Sequence, residues 1–390
     1  MKLLNLILQR TPLGWLQLTK EKSRLVVALA GIAFADILMF MQLGFRGALF
    51  DSNTAFIRQM DADIILVSPK AKNSQNFSTF TRRRLYQALD IEGVIDAQPL
   101  YSSILTWNNP QTGLKSFVQV VGFDPNYHLF KIPELNQQLE IIKMPQTVLF
   151  DRRSRGPYAE VIKRVDQGET VTTEADGKSV KISGLFSLGA SFGTDGFLMT
   201  SSQNYNLIFP KKKPGNVSVG LLKIEDQSDL IFVTEALRAY LPEDVDVLTM
   251  EEFIQKELNY WNKESPVGFI FGLGALMAFV VGVVIVYQVL STDVNAHLKE
   301  YATFKAMGYH QSYLLLIVFE EAIILAVLGF FPGVLVSVGL YRVAAKATSL
   351  PLILRSSRII FVFILTLIMC MFSGAIATRK LQQADPADMF

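Results

Sequence analysis

Four windows of the chain, Leu25–Phe45, Val267–Leu290, Tyr313–Leu340 and Ile359–Ala377, are each long and apolar enough to be a membrane-spanning helix. Such a helix needs about 20 mostly apolar residues to cross roughly 30 Å of hydrocarbon. The third window would be about 42 Å long at the helical rise, so it must tilt, bend or protrude, and Pro332 is the expected bend. A signal peptide is the rival reading of the first window, because Lys20, Lys22 and Arg24 precede an apolar stretch containing Ala33-Phe34-Ala35. The apolar run continues through Ile37–Phe45, where a processed site needs a polar flank, and this argues against cleavage.

Basic residues near the membrane set orientation. With the N-terminus inside, the cytoplasmic pieces carry Lys2, Arg10, Lys20, Lys22, Arg24, Lys299, Lys305, Arg379 and Lys380, and the short external loop 341–358 carries Arg342, Lys346, Arg355 and Arg358. This majority predicts a multi-pass membrane protein with both termini cytoplasmic and residues 46–266 extracytoplasmic. Half of the residues are hydrophobic and the net charge is only +2, which excludes a disordered chain and argues against a nucleic-acid partner. The single cysteine, Cys370, allows no internal disulfide, and the histidines His128, His297 and His310 are scattered.

Residues 46–266 hold 24 Lys and Arg against 27 Asp and Glu, so no broad basic face is expected. "DADIILVS" reads as a strand, "TFTRRRLYQALDIEG" as a helix, and "VIDAQPLYSSILTW" and "LKSFVQVVGFD" as strands. Near the end, "NVSVGLLKIED", "QSDLIFVTEALRAYLPE" and "DVDVLTMEEF" read as strand, helix and strand. The expected fold is an α-helical membrane protein with four transmembrane helices and a large extracytoplasmic α/β domain. That domain has two β-α-β halves (46–125 and 217–266) with an inserted β-rich subdomain at 126–216. The remaining pieces are an amphipathic N-terminal segment (1–24), a cytoplasmic loop (291–312) and a C-terminal tail (378–390).

The basic runs at 82–84 and 211–213 read as a solvated helix end and a solvated loop, with a lipid head group or a partner as the alternative. "GKS" at 177–179 resembles the end of a phosphate loop, but Thr172 stands where that motif requires Gly, so "TVTTEADGKSVKIS" is a hairpin with an Asp-Gly turn. There is no G-x-S-x-G elbow, and His128 is the only histidine in this region, so no hydrolase site is visible.

Between the second and third windows lies "LKEYATFKAMGYH". Lys299–Met307 contains good helix formers, and Gly308 is the expected stop. Leu298, Tyr301, Phe304 and Met307 step by three and drift round the helix, so no single clean apolar stripe exists. Such a helix suits docking better than a free surface position.

"LKEYATFKAMGY" followed by "FEEAIILAVLGFFPG" resembles the E-x-x-x-L-+-A-L-G and E-x-x-x-x-x-x-x-x-G-x-x-x-G patterns of the FtsX/MacB-like (type VII) ABC transporter permeases. "GWLQLTKEKSRLVVALAGIAFA" and the tail "ATRKLQQADPADMF" also resemble that family's ends, and the order of one span, a large domain and three spans is its layout. Within the family the chain most resembles DevC-type permeases of cyanobacterial glycolipid exporters. The resemblance implies a homodimer in the lipid bilayer, served by a separate ABC ATPase that binds the ATP and Mg, with no cofactor and no catalysis in this chain. It also implies a periplasmic adaptor protein and a TolC-like outer-membrane channel as partners. Glu300, Ala302, Lys305, Ala306, Met307 and Gly308 are the carried-over ATPase-coupling residues; Phe304 is bulkier than the family's usual Leu. The implied function is a tripartite exporter that transmits ATPase motion to the periplasmic domain and drives substrate outward, with glycolipid as the implied substrate. The alternative is a transmembrane signalling protein that activates a cell-wall hydrolase.

Asp36, Glu320 and Glu321 are the only acidic or basic side chains inside the four windows. A charge in hydrocarbon is costly and faces the bundle or a partner. Packing and anchoring, dynamic coupling and a proton relay are the three readings. One of the adjacent glutamates is expected to pair with Lys20, Lys22, Arg24 or Lys305. Gly268, Gly272, Gly274, Ala278 and Gly282 give the second window small-xxx-small spacings, read either as a dimer interface or as packing within one protomer.

Overall fold

The structure, a computed structural model, describes residues 13–20, 22–213 and 215–379. Lys2, Arg10, Lys380 and most of the C-terminal motif therefore lie outside the described residues. The chain divides into two units: one comprises residues 1–46, 269–343 and 352–390, the other residues 47–268 with 344–351.

Among the described residues, four helices are long and apolar enough to cross a membrane: Lys22–Arg58, Pro266–Ala296, Gln311–Thr348 and Ser356–Ala377. Each contains one of the four windows. A backbone in hydrocarbon must satisfy its own polar groups, which is why these runs are helical throughout. The first and third helices, with 37 and 38 residues, extend well past their windows. Pro332 sits inside the third without ending it.

The core of the membrane unit gathers Ile32, Ala35, Val286, Leu290, Ala322, Leu325, Met369 and Cys370 from all four helices. The glycine spacings of the second span separate into two sets. A Cβ on Gly282 would lie 2.8 Å from Ala35 Cβ, and one on Gly274 would lie 2.5 Å from Gln42 Cδ. Ala278 is buried between them in sequence. These three positions let helices of the same protomer approach closely. Around Gly272, by contrast, nothing lies within 4 Å, and Phe269, Ile270, Leu273 and Leu276 are exposed. Gly268 belongs to the other unit, where a Cβ would collide with the Trp261 carbonyl.

The α/β unit is built on strands β1 (Ile64–Val67), β2 (Phe80–Thr81), β3 (Val94–Asn108), β4 (Lys115–Phe123), β5 (Thr147–Asp151), β6 (Val171–Ala175), β7 (Lys178–Phe186), β8 (Gly196–Ser201), β9 (Asn216–Val217), β10 (Val219–Ile224) and β11 (Asp246–Thr249). Nine of them form one sheet in the order β11-β1-β10-β3-β4-β8-β5-β7-β6, and β2 pairs with β9 apart from it. The two expected β-α-β halves are β1–helix Arg83–Ala88–β3 and β10–helix Leu230–Tyr240–β11. They interleave, because β10 lies antiparallel between β1 and β3 while β1 lies antiparallel between β10 and β11. The resulting order, fourth-first-third-second, is the ferredoxin-like arrangement of two split β-α-β units.

Both faces of this sheet are covered, and the period-2 alternation of strand side chains assigns each residue to a face. Ile64, Leu66 and Leu222 share a core with Leu85, Val233 and Leu237 from the helices. Ile65, Val67 and Leu221 point the other way, to Phe56, Ile57 and Phe253.

The segment 126–216 is β-rich as expected, but it is not a self-contained insertion. Its strands β8, β5, β7 and β6 continue from β4, and β6 returns to β3 through the pair Trp107↔Ala175. The six strands β3, β4, β8, β5, β7 and β6 thereby close on themselves, which removes exposed edges. The boundary at residue 126 is corrected accordingly: the barrel takes two of its six walls from the first half. Trp107 fills its interior, fully buried and stacked on Phe150 with ring centroids 5.9 Å apart. The Asp-Gly hairpin is as expected, with Asp176 and Gly177 at φ 47° and 75° joining β6 to β7, the left-handed pair of a type I′ turn.

Candidate functional site

The stretch between the second and third spans folds into a nine-residue helix, Leu298–Ala306. Its end is built with care for backbone satisfaction. Gly308 adopts φ 89°, the Gly308 N–H donates to the Lys305 carbonyl at 3.1 Å, and the Tyr309 N–H donates to the Phe304 carbonyl at 3.1 Å. This pair of bonds, with a left-handed glycine between, is the Schellman motif. The apolar contact that accompanies it is the edge-to-face pair Phe304–Tyr309, 5.6 Å between centroids.

Tyr301 and Ala302 are buried, and Tyr301 packs with Val294, Leu314, Ile317 and Val318, so the helix folds back onto the ends of its flanking spans. Glu300, Ala306, Met307, Gly308 and Tyr309 are exposed, Met307 by 61%. Lys305 is half-buried. Of the six candidate coupling residues, the structure therefore brings Ala306, Met307 and Gly308 together at one exposed tip, sets Glu300 on the exposed first turn, and turns Ala302 inward. The three-residue step of the apolar positions explains the mixture, since Tyr301 and Met307 lie on different sides of the helix.

Of the intramembrane acids, Asp36 and Glu321 are buried within the helix packing and Glu320 is half-buried. Asp36 is fully buried and accepts a hydrogen bond from Thr366 Oγ1 at 2.6 Å, joining the first and fourth spans. A Cβ on Gly333 would lie 2.9 Å from Asp36 Cβ, so the third span reaches the same point.

Glu320 and Glu321 correct the expected pairing. Among the described residues neither is ion-paired with Lys20, Lys22, Arg24 or Lys305. Glu320 accepts from the Gly14 N–H, in the first turn of the short helix Leu13–Lys20, an anion at a helix N-terminus. Fully buried Glu321 packs against the same helix, 3.0 Å from where a Gly14 Cβ would stand. The charges that bear on Glu321 are those of Asp293 and Glu320, both acidic.

Asp293 and His297, near the end of the second helix, were not singled out in the sequence. Both are buried, with His297 Nδ1 3.1 Å from the Asp293 carbonyl oxygen and 3.6 Å from its carboxylate. The i,i+4 acid and histidine directly before the helix Leu298–Ala306 are the signal that could have found them.

Residues 272–386 match the family model "FtsX-like permease C-terminal", a range that holds the rest of the second span, the helix Leu298–Ala306 and the last two spans. No curated protein matches the chain. The periplasmic region of MacB from Actinobacillus actinomycetemcomitans is 11% identical with a TM-score of 0.33, covering 50% of this chain and 92% of that one. The extracellular domain of the noncanonic ABC-type transporter YknZ from Gram-positive bacteria is 12% identical with a TM-score of 0.32, covering 48% and 98%. The chain thus carries, at residues 272–386, a region similar to the FtsX-like permease C-terminal domain, behind a first candidate span and a large α/β domain.

Proposed function

We propose that this chain is the non-catalytic permease subunit of an ATP-driven tripartite exporter in a bacterial inner membrane, with both termini cytoplasmic and the α/β domain periplasmic. Two copies assemble, a separate ABC ATPase docks on the coupling helix, and the α/β domain passes substrate to a periplasmic adaptor and an outer-membrane channel. Glycolipid is the proposed substrate, on the resemblance of the coupling and terminal motifs to DevC-type permeases. The open face of the second span around Gly272 is available to the second copy. The proton relay is set aside, because the acids near the spans sit against one another and against helix ends rather than along a path.

The observation that carries the reading is the tip Ala306–Tyr309, exposed although it is partly apolar and locked in shape by the Schellman glycine. An exposed methionine on a rigid turn is a contact surface for a partner with a fitting pocket. The test is to tag the chain, extract it from its native membrane in mild detergent, and identify what accompanies the wild type and the variant Ala306→Arg/Met307→Asp. An ATPase that accompanies the wild type and is lost from the variant supports the reading. Absence of any ATPase from intact wild-type protein refutes it, and a cell-wall hydrolase in its place identifies a signalling protein.

A further inference from the structure

Two basic runs more than a hundred residues apart in sequence meet in the α/β unit. The β2–β9 ladder pairs Thr81 with Asn216, and the Arg82 N–H donates to the Gly215 carbonyl at 2.8 Å. Arg82–Arg84 and Lys211–Lys213 thus flank a single two-stranded ladder. Arg84 is committed elsewhere, holding Asp244 with two bonds of 2.9 Å.

Lys212 and Lys213 line a cavity of about 470 Å³ together with Phe77, Tyr101, Tyr205 and Asn216, within the size range of small-molecule sites. Lys212 is exposed as a residue, but its ammonium turns inward and donates to Ser103 Oγ, and it stands 5.9 Å over the Phe209 ring. Ser103 Oγ in turn lies 2.6 Å from the hydroxyl of buried Tyr205. Desolvation lowers the Lys212 pKa from the ordinary lysine value, and burial pushes the Tyr205 phenol up to about 12, so it remains a proton donor near neutral pH.

Two part-buried lysines of this unit have acid partners: Lys223 pairs with Asp61 at 2.7 Å and Lys256 with Asp246 at 2.9 Å. Among the described residues, Lys212 and Lys213 have no carboxylate partner. A partly desolvated cation beside hydroxyls and aromatic rings, with no acid of its own, is chemically matched to an oxyanion.

We propose that this cavity binds a phosphate or carboxylate group, taken by Lys212 and Lys213 with the Ser103–Tyr205 hydroxyls behind them and with Phe77 and Tyr101 offering surface to any apolar body attached. The inference goes beyond the export reading and does not depend on it, because it needs neither an ATPase nor an adaptor.

The full chain in nanodiscs of neutral phosphatidylcholine is titrated calorimetrically with inorganic phosphate and with soluble dihexanoyl phosphatidate, with empty nanodiscs subtracted. Saturable binding of at least one probe is expected. Lys212→Met weakens it about tenfold or more, the worth of one charge-assisted hydrogen bond. Lys212→Arg retains most of the binding, and Lys178→Met, on the barrel hairpin away from the cavity lining, leaves it unchanged. Equal affinity for both probes assigns the site to the free oxyanion, and tighter phosphatidate binding assigns it to a lipid head group. The proposal is overturned if the wild type binds neither probe, if Lys212→Met binds as the wild type does, or if Lys178→Met weakens binding equally, since diffuse surface charge is then the cause.

Discussion

Replacing Gly308 by Ala isolates the backbone device that shapes the exposed tip Ala306–Tyr309. Gly308 holds φ 89°, and nothing lies within 4 Å of the position a Cβ would occupy. The substitution therefore meets no neighbour and adds only the conformational cost of a left-handed L-residue, about 1–2 kcal/mol. That cost falls on the Gly308 and Tyr309 amide bonds to Lys305 and Phe304, the last closures of the helix. A destabilisation of this size raises the open population by a factor of about 5–30. Hydrogen exchange of the full chain in nanodiscs, read over the 304–309 peptides, is expected to accelerate by that factor while exchange elsewhere in the spans stays the same. Asn tolerates the left-handed region better than other non-glycine residues, so Gly308→Asn restores much of the protection. If Gly308→Ala exchanges as slowly as the wild type, the cap is not what holds the tip, and the structural argument for a preformed docking surface is wrong.

Glu257 tests the α/β unit. Its buried carboxylate accepts from Ser74 N at 2.7 Å, Ser74 Oγ at 2.9 Å and Trp261 Nε1 at 2.8 Å, yet burial outweighs these bonds and raises its pKa from 4.5. A raised carboxyl contributes stability that is fully present below about pH 4.5 and is lost as pH rises through the folded value. The stability of the wild type relative to Glu257→Gln, from thermal unfolding of the unit, should therefore fall over that window, and a constant difference contradicts the assignment. Glu257→Ala leaves three donors unsatisfied and should cost about 2–3 kcal/mol at neutral pH, read from the same unfolding transition. In the membrane unit, Gly282→Leu should lower the thermal stability of the monomer because its side chain would enter Ala35 and Met369, while Gly272→Leu should leave it unchanged. Equal effects of the two would contradict the division of the glycine positions between internal packing and open surface.

Much of this was legible because the signals were local. Hydropathy over about 20 residues marked the spans, Gly308 after a run of helix formers marked the cap, and Asp176-Gly177 marked the hairpin. The two β-α-β halves were readable as elements. Their interleaving was not, because antiparallel register between β1 and β10 depends on residues more than 150 positions apart. The same limit hid the single pair Trp107↔Ala175 that closes the barrel, and it hid the meeting of the two basic runs across the β2–β9 ladder. At the candidate site, the motif resemblance placed Ala302 among the coupling residues without showing that it faces inward. The glutamates of the third span were assigned a basic partner on charge alone, whereas a backbone amide at a helix start serves Glu320 and an acidic neighbour stands by Glu321. Charge balance names a kind of partner, and packing decides which group arrives.

The fifteen residues of β3 have a further consequence. Their first part, to Leu100, pairs with β10 and their remainder, from Tyr101, pairs with β4, so one uninterrupted strand belongs to the ferredoxin-like sheet and to the barrel at once. Two modules joined by a linker can swing; two modules that share a spine cannot do so without breaking main-chain bonds along it. Force applied to either part should therefore turn the whole α/β unit as one rigid body, and unfolding should melt both parts in a single cooperative step.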